Sequence, residues 1–273
     1  MEKNQAVKTK SSSSIFAFIA IPLIIIICHI IFHVVMGDPQ NFEGGDTANH
    51  PVDEGFRKWL GTVYKGGVIV PFLMSFFMMV FTFSIERLIS LSKASGTSSV
   101  DAFVRNVKTL LSQNKIDEAI AACDKQKGSV GNVIQAVLHK YKDMLKEDGM
   151  TKDQKILAIQ KELEDATSLE LPMLEKNLTI IATLASTSTL VGLLGTVLGM
   201  IKAFSALATA GAPDAAALST GISEALINTA LGIGSSAFAI MFYNYFTSKI
   251  DTLTYNIDEV GFSIMANFGA VSK

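Results

Sequence analysis

Four charge-free runs constrain this chain more than any other feature: Ser11–Gly37, Gly66–Ile85, Asn177–Ile201 and Ala225–Ser248. Each is long enough to cross a bilayer core of about 30 Å, for which a helix needs roughly 20 apolar residues. With 49% hydrophobic and 18% charged residues and a mean hydropathy of +0.38, the composition agrees with a membrane protein. The expected fold class is therefore all-α and integral to the membrane. Four transmembrane helices are predicted, with spans 2 to 4 extended into a cytoplasmic helical bundle. The first run is apolar from Ile15 to Met36, longer than a secretory leader's core, and is expected to be an uncleaved anchor.

Charge outside the runs predicts orientation. Lys3, Lys8 and Lys10 precede the first span, which puts the N-terminus in the cytoplasm by the positive-inside rule. The segment "GDPQNFEGGDTANHPVDEG" carries Asp38, Glu43, Asp46, Asp53 and Glu54, and reads as an external loop leading into an interfacial helix. Trp59 and Tyr64 suit a headgroup belt there. Arg87 and Lys93, after span 2, mark a return to the cytoplasm, and the C-terminus with Lys249 and Lys273 lies there too. The expected parts are 1–37, a tail and first span; 38–66, a periplasmic loop with its helix; and 67–92, the second span. There follow 93–176, a cytoplasmic bundle; 177–249, a transmembrane hairpin; and 250–273, a cytoplasmic helix.

Within the bundle, Val100, Phe103, Val104, Val107, Leu110 and Leu111 make one helical face. A second pair of faces is broken at Gly128 and Gly131. A last long helix is capped at Thr151 with Gln154 three residues on, with a kink expected at Pro172. The net charge of −2 offers no case for nucleic acid. Cys28 and Cys123 sit in dissimilar surroundings and are not expected to pair. His29 and His33 share a face of span 1 and read as interface histidines, and His139 as a surface one. The run "FLMSFFMMVFTF" reads as lipid-facing packing. No metal spacing, dinucleotide fingerprint or phosphate loop occurs, so no cofactor is expected.

The stretch "LVGLLGTVLGMIKAF" is apolar yet holds Gly192, Gly195, Gly199, Thr196 and Lys202. In an antiparallel hairpin, residues equidistant from the tip share a depth. With a tip near Ala212–Pro213, Thr196 falls level with Thr229, and Lys202 with Glu224. Gly192, Gly195, Gly199 and Gly232 are small-residue positions that allow helices to approach closely in lipid, and they are expected to set assembly. Each threonine can satisfy itself on the carbonyl one turn back; the pair at one depth also fits a polar stripe along a wet path. Lys202 can pair with Glu224 or snorkel away from it.

These residues carry a resemblance. "LTIIATLASTSTLVGLLGTVLGMIKAF" and "GISEALINTALGIGSSAFAIMFYNYF" resemble the last two membrane helices of the ExbB/TolQ/MotA proton-channel family, and ExbB most closely. Weaker likeness in "IERLISL" and "IDEAIAACDKQKGSVGNVIQAVL" extends the match over roughly residues 72–250. The resemblance implies a homopentamer whose central pore is lined by these helices. It implies a dimer of an ExbD-like single-span partner threading that pore with a proton-carrying aspartate, in the bacterial inner membrane among its lipids. The implied proton-path residues are Thr196, Thr229 and Glu224, and the implied role is to energise a TonB-like protein for outer-membrane uptake. The chain departs from the family at Lys202, at Asn228 and in its extra first span. TolQ-like or motility-motor stators, and a structural scaffold without a channel, are the alternatives. A secondary transporter is disfavoured by the lack of an internal repeat. The spans hold no aspartate, so a titrating carboxyl would have to come from a partner helix.

Overall fold

A computed structural model describes residues 12–209 and 215–272. The hairpin tip near Ala212–Pro213, the lysines before span 1 and Lys273 lie outside the described residues. The described chain is all-helical, with α1 (Ser12–Ile30), α2 (Gly55–Tyr64), α3 (Val70–Ser95), α4 (Val100–Ser112) and α5 (Ile116–Gln126) in its first half. Then come α6 (Gly128–Lys146), α7 (Lys152–Glu175), α8 (Leu178–Thr209) and α9 (Ala215–Val271). Four helices are long and apolar enough to cross a membrane, beginning at Phe16, Gly67, Leu178 and Ala216. The protein is an all-α membrane protein. Its residues divide into two compact units, 1–83 with 180–241, and 84–179 with 242–273.

The first unit holds α1, the 38–66 segment, the start of α3, most of α8 and the first part of α9. The last turn of α1 widens into a π-helix over Ile31–Met36. The first span packs on α3: Phe16 meets Phe83, and His29 meets Phe72 edge-on at 4.9 Å. The His29 ring also bonds the Ile25 carbonyl at 2.9 Å, which leaves it a satisfied packing residue. No group of three metal-binding side chains occurs among the described residues. The phenylalanine- and methionine-rich run of α3 is divided between two faces. Leu73, Met79, Val80 and Phe83 are buried and Phe77 meets Phe238 of α9 edge-on, while Phe72 and Met78 stay exposed.

Residues 38–66 form a compact cap. Two 3₁₀ turns and a bridge between Phe42 and Pro51 fold the loop, and α2 closes it. Trp59 is exposed, whereas Tyr64 is half-buried. Its ring stacks on Phe32 at 4.8 Å and meets Phe42 at 5.6 Å, so it is the aromatic centre of the cap.

The second unit is a helical bundle around Val107, Leu111, Ile134, Val137, Leu138 and Tyr141, closed by Val260, Ile264 and Phe268 of α9. The break expected at Gly128 is found there, with Lys127 at φ 58° between α5 and α6 and Gly128 at φ 70° opening α6, whereas Gly131 stays inside α6. The long last helix runs through Pro172 and ends at Glu175, with Lys176 as its C-cap and Asn177 following at φ 60°. Asparagine tolerates that left-handed conformation better than most residues. Thr151 and Gln154 form a full capping box. Arg87 is 2% exposed and binds Glu86 through two nitrogens at 2.6 and 2.8 Å, and also the Leu174 carbonyl at 3.2 Å. Tyr141 donates to Asn267 at 2.7 Å, and burial pushes its hydroxyl pKa up.

Candidate functional site

The site is built where α8 and α9 approach most closely. Gly192 faces Gly232, and a Cβ on Gly192 would lie 2.9 Å from the Gly232 Cα. A Cβ on Gly199 would lie 2.8 Å from the Ala225 nitrogen and 2.9 Å from the Gly221 carbonyl. A Cβ on Gly195 would overlap Asn228 at 2.5 Å. The four glycines expected to set assembly therefore all lie inside one chain's hairpin. Their first role is to let two backbones of the same subunit meet, because any side chain there would hold them apart.

That approach brings Thr196 and Thr229 into direct hydroxyl contact. Thr196 also reaches the Gly192 carbonyl at 3.2 Å, and Thr229 the Ala225 carbonyl at 3.1 Å. Two hydroxyls own only two protons. Either Thr196 donates to Thr229, which donates to Ala225, or the order runs backwards and ends on Gly192. The pair thus has two hydrogen-bond directions; it can accept from a third group as it stands, and donates to one only when a hydroxyl turns away from its backbone carbonyl. Thr196 stands at the end of a shallow open groove along α8 that continues through Val197, Met200, Ile201 and Phe204. Ile201 and Phe204 are each 58% exposed, an apolar face without a neighbour in the described chain.

Lys202 donates to Glu224 at 2.8 Å. The lysine side chain is 65% exposed and the glutamate only 12%. The pair is lopsided, with the carboxylate held in the protein and the ammonium at its surface. Glu224 and Lys202 are the only ionisable side chains of α8 and α9 in the first unit among the described residues. Two further residues complete the region without having been singled out as site residues from the sequence. The amide of Asn228, 1% exposed, donates to the Gly66 carbonyl at 2.9 Å. Gly67, at φ +78°, presses its backbone on the Glu224 carboxylate. Nearby, burial lowers the Lys65 pKa; Asp46 opposes that shift and Lys202 adds to it. The polar Asn228 in a small-residue stripe was the available sequence signal, but nothing periodic links it to residue 66.

A hairpin with a hydroxyl pair, a capped carboxylate and no metal-binding cluster among the described residues lends itself to guiding a proton. The family model of the MotA/TolQ/ExbB proton channel family matches residues 128–259, which include the whole hairpin. Over that stretch the chain is similar to this family. Members are proton channels and not enzymes, and the protein is accordingly not an enzyme. Among its relatives is the Tol-Pal system protein TolQ of Pseudomonas aeruginosa, 29% identical over 58% of this chain and 69% of that protein. A putative ExbB-like biopolymer transport protein of Synechocystis is 41% identical over 32% of this chain and 42% of its own. The biopolymer transport protein ExbB of Helicobacter pylori is 40% identical over 33% and 60%. The matched stretch spans less than two thirds of the latter two proteins.

Proposed function

We propose that the protein is an ExbB-like stator subunit of the bacterial inner membrane, passing protons to do mechanical work on a partner. In this reading five copies surround a pore lined by α8 and α9. A dimer of an ExbD-like single-span protein occupies the pore, and the assembly energises a TonB-like protein. The cap faces the periplasm, and the bundle and both termini face the cytoplasm.

One observation carries the reading. The hairpin offers a reversible hydroxyl pair beside an exposed apolar stripe, yet Glu224, its only carboxylate among the described residues, is engaged by Lys202. A path of this kind needs a titrating group from outside the chain, and the stripe has the character of a seat for an apolar helix that brings one. A protonated carboxyl arriving level with Thr196 and Thr229 meets an acceptor, and a carboxylate draws a donor from whichever hydroxyl releases its backbone carbonyl. The hydroxyls supply the contact without a charge of their own.

The test is proton flux in proteoliposomes holding the protein with an ExbD-like partner. Thr196→Val and Thr229→Val should each assemble normally and lose most of the flux. Undiminished flux in the double valine variant would reject the path. A TolQ-like role is the second reading, favoured by the length of the match to the Pseudomonas protein. Complementation of cells lacking one system or the other separates the two: iron-siderophore uptake follows the first, envelope integrity the second.

A further inference from the structure

Asn228 belongs neither to the hydroxyl pair nor to the ion pair, yet it is among the most buried polar residues of the hairpin. The Gly66 carbonyl can only accept, so the Asn228 amide nitrogen must face it, which fixes the side chain's orientation. Its other polar atom, Oδ1, is buried without a partner among the described residues. Packing alone does not require such a residue, since an alanine would fill the stripe without stranding an acceptor.

What Asn228 holds is the elbow between α2 and α3. A Cβ on Gly66 would lie 2.8 Å from the Ile227 side chain, and one on Gly67 would overlap the Glu224 carboxylate. The backbone of the elbow therefore rests against three residues of one α9 turn: Glu224, Ile227 and Asn228. Glu224 is enclosed between the Gly67 backbone and the Lys202 ammonium. The elbow is also fastened to the cap. Lys65 donates to the carbonyls of Thr47 at 2.8 Å and Ala48 at 2.9 Å, and Tyr64 sits in the cap's aromatic cluster.

We propose that Asn228 is a positioning residue that clamps the Gly66–Gly67 elbow onto α9, so that the state of the 38–66 cap reaches the Lys202–Glu224 pair. A partner or ligand that shifts the cap withdraws the elbow and uncovers the Glu224 carboxylate to water. The consequence for transport rests on the proton-channel reading; the clamp itself does not.

Hydrogen exchange read by mass spectrometry on the full chain in nanodiscs tests this without partner or gradient. Lys65→Met loosens the cap and touches neither Glu224 nor Asn228. It should speed exchange across residues 219–231 about threefold, while peptides of the bundle stay unchanged. Asn228→Ala should do the same, and the double variant should exchange no faster than the faster single one, because both act through one clamp. Gly67→Ala probes the clamp from the elbow side should Asn228→Ala fail to insert. An effect of Lys65→Met confined to residues 38–66, or single effects that multiply in the double variant, would overturn the proposal. Coupled exchange in a protein that passes no protons with its partner would uphold the clamp and reject the channel reading.

Discussion

Alanine substitutions at Gly199 and Gly234 should move stability in opposite directions, although both glycines are helical and in the membrane hairpin. At Gly199 the new methyl would stand 2.8 Å from one backbone atom of α9 and 2.9 Å from another. Neither is the end of a flexible side chain, so the two helices must separate by about half an ångström. A gap of that size already forfeits roughly a quarter of the dispersion attraction along the seam. Overpacking of this kind costs about 1–3 kcal/mol. Replacing a mid-helix glycine returns about 0.5–1 kcal/mol. The net loss at Gly199 is about 1–2 kcal/mol. At Gly234 nothing lies within 4 Å of the added methyl, so only the propensity gain remains. Gly234→Ala should therefore stabilise by about 0.5–1 kcal/mol. Equilibrium unfolding by SDS in mixed micelles, followed by far-ultraviolet circular dichroism, measures both. Equal shifts of the same sign would refute the argument, since they would show that hairpin stability does not depend on the α8/α9 approach at Gly199.

Three further expectations follow from contacts already described. Lys202→Ala and Glu224→Ala should each destabilise the protein, and the double variant less than their sum, with a coupling of about 1 kcal/mol because the lysine is largely exposed; a coupling near zero in the same SDS titration would remove the pair. Arg87→Ala removes a buried guanidinium, leaves the half-buried Glu86 carboxylate to Ser90 and Asn177 and frees the Leu174 carbonyl, and should cost about 2–3 kcal/mol, whereas Glu86→Gln with Arg87→Met should recover much of it; a loss under about 1 kcal/mol for the single variant in a thermal melt would contradict the burial argument. Burial pushes the Cys123 thiol up from 9.0 to about 12, so it stays protonated and inert in the native protein. Maleimide labelling at pH 8 should therefore appear only on unfolding. Since the unfolded thiol ionises first, stability should fall as pH rises from about 9 toward 12, a slope that Cys123→Ala removes.

The parts of this protein that could be read in the sequence are those where chain distance maps onto space by a fixed rule. Apolar length marked the spans, because a helix rises a constant amount per residue. The face Phe103, Val104, Val107 and Leu111 marked α4, because 3.6-residue periodicity sorts core from solvent. The same rule, folded back on itself, put Thr196 beside Thr229 and Lys202 beside Glu224, since an antiparallel hairpin converts distance from the tip into depth. Where no such rule operates, the sequence misled. Arg87 looked like an orientation charge, yet it is buried and paired with its own neighbour Glu86, although adjacent helical residues do not normally face one another. Tyr64 looked like a headgroup anchor, and the cap's fold turned it inward. Asn228 and Gly66 stand 162 positions apart, and no periodicity spans that interval. Their contact depends on the cap closing and on α3 reaching α9, both tertiary events. Lys202 and Asn228 both lie beside Glu224, the only carboxylate of the hairpin among the described residues, and the Gly66–Gly67 elbow meets it there. A residue that breaks a small-residue stripe, beside an acid in a membrane helix, is thus best interpreted as a socket for a backbone element that packs there from far along the chain.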